Sequence, residues 1–517
     1  MCFSVIYILF IYNRNKMKKV LIISLASLLS GSVMAQDMYD VVDITSSDLN
    51  GTARYVGMGG ALSALGGDLT TMGTNPAGTG IFRRGEIAVT GGGLITSEKG
   101  QMGHDRTRAS LDQAGIVFPL STDTEVNGLN YVNFGVNYRK SRNSLSNMMV
   151  DVQNLGGVFS QTNQIADLAN RCANSTGNWG MLADMAAPEY DKNGNLSKDG
   201  IIVDYYDSNT GKLLNCQGVG AQSAAYSRAS YGSTTQCDFN VSFNVADKVF
   251  LGLSLGVYDY RYDRESFYKE VGTDGGDYDF TNWYKMTGDG FDVKLGAIWR
   301  PFEGSPFRIG AYIHSPIWYK MTEENGSLLY YKDNFVDQRS ADPYDYDFRT
   351  PWKFGVSMGH TIDKILAFGV DYEYSDLGSS HYDAIDGVNS SYFAAMNNLI
   401  SKGLKGQHTL RLGMEMKPAD NFAIRLGYNY VSAPIEKDAY KTIAYDGPFT
   451  ETDFVNWKDI NRVTFGLGYR FKGGYFDVAY QYQMQKGDFY AFDEVDLKPT
   501  SVENNRSQLM ATLGFRF

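Results

Sequence analysis

Alternation of apolar and polar side chains with a period of two, recurring along most of the chain, is the feature that most restricts its fold. In LAFGVDYEY (366–374), Leu366, Phe368, Val370, Tyr372 and Tyr374 share one face, and Ala367, Gly369, Asp371 and Glu373 share the other. FAIRLGYNY (422–430) and RVTFGLGYRF (462–471) repeat the scheme. Successive side chains of a strand point to opposite faces, so each segment reads as β-structure with one greasy side. The second side is rich in glycine, which suits an interior crowded with other chain better than a face in open water.

Past residue 29 no apolar run reaches the roughly 20 residues of a membrane helix, and the mean hydropathy is -0.29. A bilayer is not excluded, because the strands of a closed barrel average apolar and polar residues within any hydropathy window. With 36 Tyr and 29 Phe beside 56 Gly, composition leans the same way. Strands are expected near 84–97, 109–120, 128–142, 236–246, 248–262, 288–301, 306–322, 345–361, 363–377, 407–418, 421–433, 459–472, 474–487 and 505–517. That is about fourteen, an even number as single-chain barrels of this kind have. Tight joints such as 246–247, 419–420 and 472–473 alternate with long ones at 143–235, 263–287, 323–344, 378–406, 434–458 and 488–504, as short periplasmic turns alternate with longer outer loops. The expected class is all-β: a transmembrane antiparallel β-barrel with an N-terminal plug.

Residues 1–35 read as a signal peptide. Met17-Lys18-Lys19 precedes the apolar run 20–29 and a small-residue cleavage stretch, which makes Met17 the expected start and Gln36 the mature N-terminus. A barrel of this width leaves space in its middle, and residues 36–84 are too few to form a core of their own, so they are expected to fill the lumen. Within TMGTNPAGTGIF (71–82), Pro76 fixes its own φ and Asn75 is pushed out of the helical region, while glycines on either side permit bends. Asn75, Pro76 and Ala77 should end the plug and turn the chain into the wall of the barrel (85–517).

The joint 143–235 carries internal order. Ile165, Leu168, Ala169 and Cys172 fall on one helical face, Trp179, Leu182 and Met185 suggest another, and VDYYDSNTGKLL (203–214) reads as a hairpin. These elements form either a lid that recruits ligand or plain loop packing. Tyr392, Phe393, Met396, Leu399 and Ile400 mark a further helix stopped by Gly403. Three cysteines follow the signal, and a Cys172–Cys216 bridge and all-free thiols are both open. Gly57-Met58-Gly59-Gly60 lacks the βαβ setting of a dinucleotide fingerprint. DKNGN at 191–195 lacks the glycine and glutamate of a calcium loop and reads as a turn. The five histidines show no metal or haem spacing, and no nucleophile–base motif is present, so neither a cofactor nor enzyme chemistry is expected. A net charge of -11 argues against nucleic acid and fits solvated outer loops facing anionic membrane lipid.

Without chemistry, the expected activity is transfer. Phe267, Tyr268, Phe280, Trp283, Tyr284, Leu328, Leu329 and Tyr330 are candidates for an apolar capture groove. Arg139, Arg411, Arg425 and Arg470 point inward by alternation, either to meet an anionic head group or to pair with lumen acids such as Asp371 and Glu415 and brace the plug. The plug stretch 53–78, with its Asn-Pro-Ala, together with the fourteen-strand layout, TPWKFGVSMGH (350–360), the stretch 408–435 and the closing Phe517, resembles the FadL/TodX family of outer-membrane transporters for long-chain fatty acids and other hydrophobic compounds. The resemblance implies a monomer, capture at the outer loops, passage beside the hatch, and sideways exit through a gap near the third strand, around Phe134 to Tyr138. A terminal Phe517 also resembles the signal read by the barrel-assembly machinery. The joint 143–235 is much longer than that family's usual second outer loop. A surface receptor that binds haem or another hydrophobic ligand without transporting it is the alternative.

Overall fold

The computed structural model describes residues 37–517 apart from 98–105, 123–127, 176–179, 207–212, 364, 386–389, 438, 442–449 and 495; the expected signal peptide lies outside them. Fourteen antiparallel strands close into a barrel: β1 (Glu86–Ser97), β2 (Arg106–Ser121), β3 (Leu129–Asn143), β4 (Ala221–Val245), β5 (Val249–Gly272), β6 (Asp277–Trp299), β7 (Arg308–His314 and Trp318–Tyr331), β8 (Tyr344–Arg349 and Lys353–Ile362), β9 (Leu366–Asp376), β10 (Gly406–Ala419), β11 (Phe422–Val431), β12 (Phe454–Phe471), β13 (Gly474–Tyr490) and β14 (Asn505–Arg516). The seam is β1 against β14, paired from Glu86↔Arg516 to Ser97↔Asn505. Between β4 and β5, Ala246 and Asp247 both adopt positive φ, the conformation a two-residue hairpin turn demands.

Alternation sets inside from outside. Along β5, Leu251, Leu253, Leu255 and Val257 are exposed while Gly252, Ser254 and Gly256 are buried. Phe291, Trp318 and Trp352 edge this exterior apolar belt on the side of the long joints, and Trp299, Phe302, Phe471 and Phe515 edge it on the side of the short turns. A belt of that kind, rimmed by aromatic rings, is the surface that a membrane-spanning barrel offers to lipid.

Strands β4, β5 and β6 run for 25, 24 and 23 residues, so the joint expected at 263–287 is strand except at its tip, and β4 takes up the last part of 143–235. Polar residues on the outward face there had the look of loop. Beyond the bilayer that face meets water, and the alternation simply changes its outer partner. β7 and β8 are each interrupted. Their register continues across the break, with His314↔Lys353 below it and Trp318↔Arg349 above, which sets Pro316 opposite Pro351 where neither can donate to a neighbouring ladder.

Inside the barrel lie α1 (Met38–Thr45), capped by the Asp37 carboxylate, α2 (Ala53–Gly57), and two 3-10 turns, Leu69–Gly73 and Pro76–Ile81. The inserted joint folds into α3 (Gln161–Ser175), α4 (Met181–Ala186) and short hairpins. Within DKNGN, Asp191 accepts from the Asn193 and Asn195 amides, the bonding of a turn. Ile165, Leu168, Leu182 and Met185 join Tyr268, Phe280 and Leu329 from one side of the ring and Val455, Phe489 and Phe492 from the other in a single core. The insertion therefore roofs the barrel mouth. A second core, beneath the roof, packs Met38, Val41 and Ile44 of α1 against Tyr258, Tyr260, Tyr319 and α5 (Ser390–Gly403).

Candidate functional site

The plug is held by its backbone lying almost on the backbone of the wall. A Cβ added at Gly252 would stand 2.2 Å from the Pro76 carbonyl carbon, one at Gly369 2.0 Å from the Ala61 oxygen, and one at Gly413 2.3 Å from the Met58 oxygen. The glycines on the inner face of the strands are thus the imprint of the plug. Asn75 caps the turn Pro76–Ile81 by accepting from the Ala77 amide at 3.2 Å, and its Nδ2 donates to the Ser63 carbonyl at 2.9 Å. The Pro76 carbonyl in turn accepts from Asn240 Nδ2 at 3.2 Å. Thr79 and Phe82 carbonyls accept from Asn133. The Asn-Pro-Ala segment therefore sits on the wall formed by β3 to β7, just before the chain enters β1.

Charge braces the opposite side. Arg54 of α2 meets Glu415 at 3.1 Å, and Arg425 bridges Glu415 at 2.7 Å and Asp477 at 2.9 Å, all three wall groups at most 4 % exposed. Asp371 accepts from the Ser63 amide at 3.1 Å. Removing one member of such a buried set leaves an uncompensated charge, which costs more than the intact set contributes.

Between plug and roof lies a chamber of ≈ 200 Å³ whose walls carry Arg139, Arg142, Lys294, Lys353, Arg411, Lys458, Arg462 and Arg506 against Asp43, Asp48, Asp292 and Glu373. Lys294 is matched by Asp238 and Asp292 and Lys458 by Asp488, but several of the other cations are only partly matched. Arg139 donates to Gln236 at 2.8 Å while its Nε is enclosed without an acceptor. Arg462 reaches Gln483 and Asn429 at 2.8 Å but approaches Asp48 no closer than 3.9 Å. Arg411 meets Glu373 and the Tyr312 hydroxyl, each at 3.3 Å. In α1, burial pushes the Asp43 carboxyl up, but the Arg142 guanidinium at 2.5 Å overrides it and holds the group below the usual carboxylate range. A chamber with surplus positive charge and tyrosine walls can hold an anionic group while an apolar remainder lies against the rings above.

Of the four expected lumen cations, Arg139 and Arg411 line this chamber, Arg425 is spent in its ion pairs, and Arg470 lies under the plug. The expected capture residues do not form one groove. Tyr268, Phe280 and Leu329 are buried in the roof core and Tyr284 packs in the core around α1, whereas Phe267 is 38 % exposed on the outer face. Trp283, Leu328 and Tyr330 also point away from the buried face, because neighbours in a strand alternate. Nor is there a gap at 134–138: β3 pairs without interruption through those residues to β2 on one side and to β4 on the other. The wall there bears a shallow apolar dent lined by Phe118, Phe134, Phe239 and Leu253, with Met72 behind Gly135. Cys216 is buried near Asp204, and the Cys172 side chain, and with it the expected bridge, lies outside the described residues. Sequence reasoning missed Glu373, Lys353 and Arg462, although Glu373 shares the phase of Asp371 in the strand read first.

No family model matches the sequence, and no curated protein matches it significantly. Among solved structures the chain is similar to a Pseudomonas aeruginosa FadL homologue, with a TM-score of 0.51, 12 % identity, and coverage of 91 % of this chain and 99 % of that one. It is similar also to the CymD monoaromatic hydrocarbon channel, with a TM-score of 0.50, 10 % identity and the same coverage. At these identities the likeness is one of fold, and it extends over nearly the whole described chain.

Proposed function

We propose that this protein is an outer-membrane channel for small amphipathic molecules, long-chain fatty acids among them, that carry an apolar body and an anionic head. The single observation that carries the reading is the cationic chamber between plug and roof, set inside a chain whose net charge is -11. The fold shared with a FadL homologue and a hydrocarbon channel supports the hydrophobic half of the cargo. Arg139, Arg411 and Arg462 supply the counter-charge for the head, and the tyrosines around α1 supply apolar contact worth roughly 25 cal/mol per Å2 buried. Passage requires the roof to lift and the plug to yield. Phe517, exposed beside the seam, offers a handle to the assembly machinery, and the reading takes the barrel as a monomer.

The test is mass spectrometry of the small molecules that co-purify with the barrel, followed by dodecanoate binding to the protein and to Arg411→Gln. Carboxylates are expected, with Arg411→Gln binding about 10-fold more weakly, the equivalent of one charge-assisted hydrogen bond. Recovery of haem, or dodecanoate binding indifferent to Arg411, overturns the proposal.

A further inference from the structure

A second cavity, of ≈ 310 Å³, opens on the far side of the plug at the short-turn end of the barrel. Its roof is the plug loop 65–68, which turns through Gly66 and Gly67, both at positive φ. Its rim comes from the ends of β1, β7, β10, β12 and β14. Four carboxylates line it and all are committed. Glu415 serves Arg54 and Arg425, Asp477 serves Arg425 at 2.9 Å, and Glu86 takes Arg516 at 2.7 Å and the Tyr475 hydroxyl at 2.8 Å. Asp68 accepts from Thr52 Oγ1 at 2.7 Å and the Thr70 amide at 2.9 Å.

Lys417 stands 3.8 Å from Glu415, and two cations are left over, Arg308 half-buried on β7 and Arg470 exposed on β12, five strands away. Among the described residues no carboxylate lies within ion-pair distance of Arg308 or Arg470. Arg308 donates to the Leu65 carbonyl of the plug loop, and its Nε is enclosed with no acceptor at all. A guanidinium drawn away from bulk water without a counter-ion favours an oxyanion, and its planar fork matches a carboxylate through two parallel hydrogen bonds.

We propose that Arg308 forms a second anion site beneath the plug, for the carboxylate of a small organic acid. The site rests on the proposed function only for the identity of its anion. Cationic cavities then stand on both faces of the plug, and the route between them runs along the barrel axis. Arg308 has a double part in it, because an arriving carboxylate competes with the Leu65 carbonyl for the same guanidinium and frees the loop that closes the path.

The experiment is arginine modification by phenylglyoxal on the barrel in non-ionic detergent, located by peptide mass spectrometry, with octanoate, octylamine or inorganic phosphate present. Octanoate at several times its dissociation constant should slow modification of Arg308 by about 5-fold, and octylamine should not. Arg470, exposed on the rim of the same cavity, is the internal control: it should be modified at the same rate with and without octanoate, and equal protection of both overturns the assignment to Arg308. Protection confined to Arg139 and Arg411 in the chamber overturns the second site and leaves the proposed function standing. Protection of no arginine overturns both. Protection by phosphate without protection by octanoate overturns the carboxylate assignment.

Discussion

One methyl group on the wall tests whether the plug is docked as described. In Gly252→Ala the new carbon would lie 2.2 Å from the Pro76 carbonyl carbon, 2.3 Å from the Ala77 nitrogen and 2.4 Å from the Pro76 oxygen. All three are backbone atoms, so no flexible side-chain end can give way, and the turn Pro76–Ile81 must retreat by about 1 Å to restore van der Waals distance. Overpacking of this kind costs typically about 1–3 kcal/mol. The retreat also strains the bonds linking Asn240 to the Pro76 carbonyl and to Thr79, net worth about 1 kcal/mol each. A total of about 2–4 kcal/mol raises the undocked fraction of the plug by on the order of 10²-fold. Trypsin cleavage after Arg54, whose side chain is 20 % exposed when docked, together with hydrogen exchange across 71–82, reads that fraction. Heat-modifiable mobility should show the barrel itself intact. Gly93→Ala is the control, because nothing lies within 4 Å of a carbon added there. Equal protection of the plug in Gly252→Ala and Gly93→Ala would refute the reasoning.

Other perturbations have equally definite outcomes. Glu270 stands on β5 well beyond its lipid-facing residues, 1 % exposed, accepting from the Gln161 amide of α3 at 2.9 Å and from the Tyr268 hydroxyl at 2.5 Å, and burial pushes its carboxyl up to about 7. Because the folded value exceeds the unfolded one, the roof is most stable below about pH 4.5 and loses on the order of 3 kcal/mol as pH rises past about 7. Glu270→Gln should abolish this slope, and exchange protection of α3 from pH 5 to 8.5, corrected for intrinsic rates, measures it; a flat wild-type profile counts against the assignment. Asn75→Ala loses the bonds to the Ser63 carbonyl and the Ala77 amide and should loosen the plug by about 1–3 kcal/mol, seen as faster exchange at 61–65 with barrel assembly unchanged. Pro76→Ala should impair dodecanoate uptake while leaving surface expression intact, and unaltered uptake would remove the segment from the gate.

Period two was sufficient to predict a closed barrel, since it recurred in every strand of the last third and the tight joints fell where the structure has its turns. The amphipathic faces of α3, α4 and α5 were legible for the same reason: Ile165, Leu168, Met396 and Ile400 repeat at helical spacing. What escaped was whatever depends on partners distant in sequence. Nothing around Gly252 or Gly413 announces that another backbone will lie against it, and the closed ladders of β3 follow from registers, not from residue types. The supposed capture groove failed on a local point. Once 277–299 is strand, Phe280 and Tyr284 face one way and Trp283 the other, and the rule applied to the last third would have separated them. The charge balance of the chamber needed the fold, because Arg139, Lys353 and Arg462 meet only across the lumen.

The seam between β1 and β14 joins the two ends of the barrel sequence, and the plug is attached directly to one side of it. Glu86 opens β1 at the short-turn end, so the plug is tethered opposite the roof, beside the pair Glu86↔Arg516. A pull that parts those two edges is therefore passed straight to the plug, and a plug held on the wall resists it in turn.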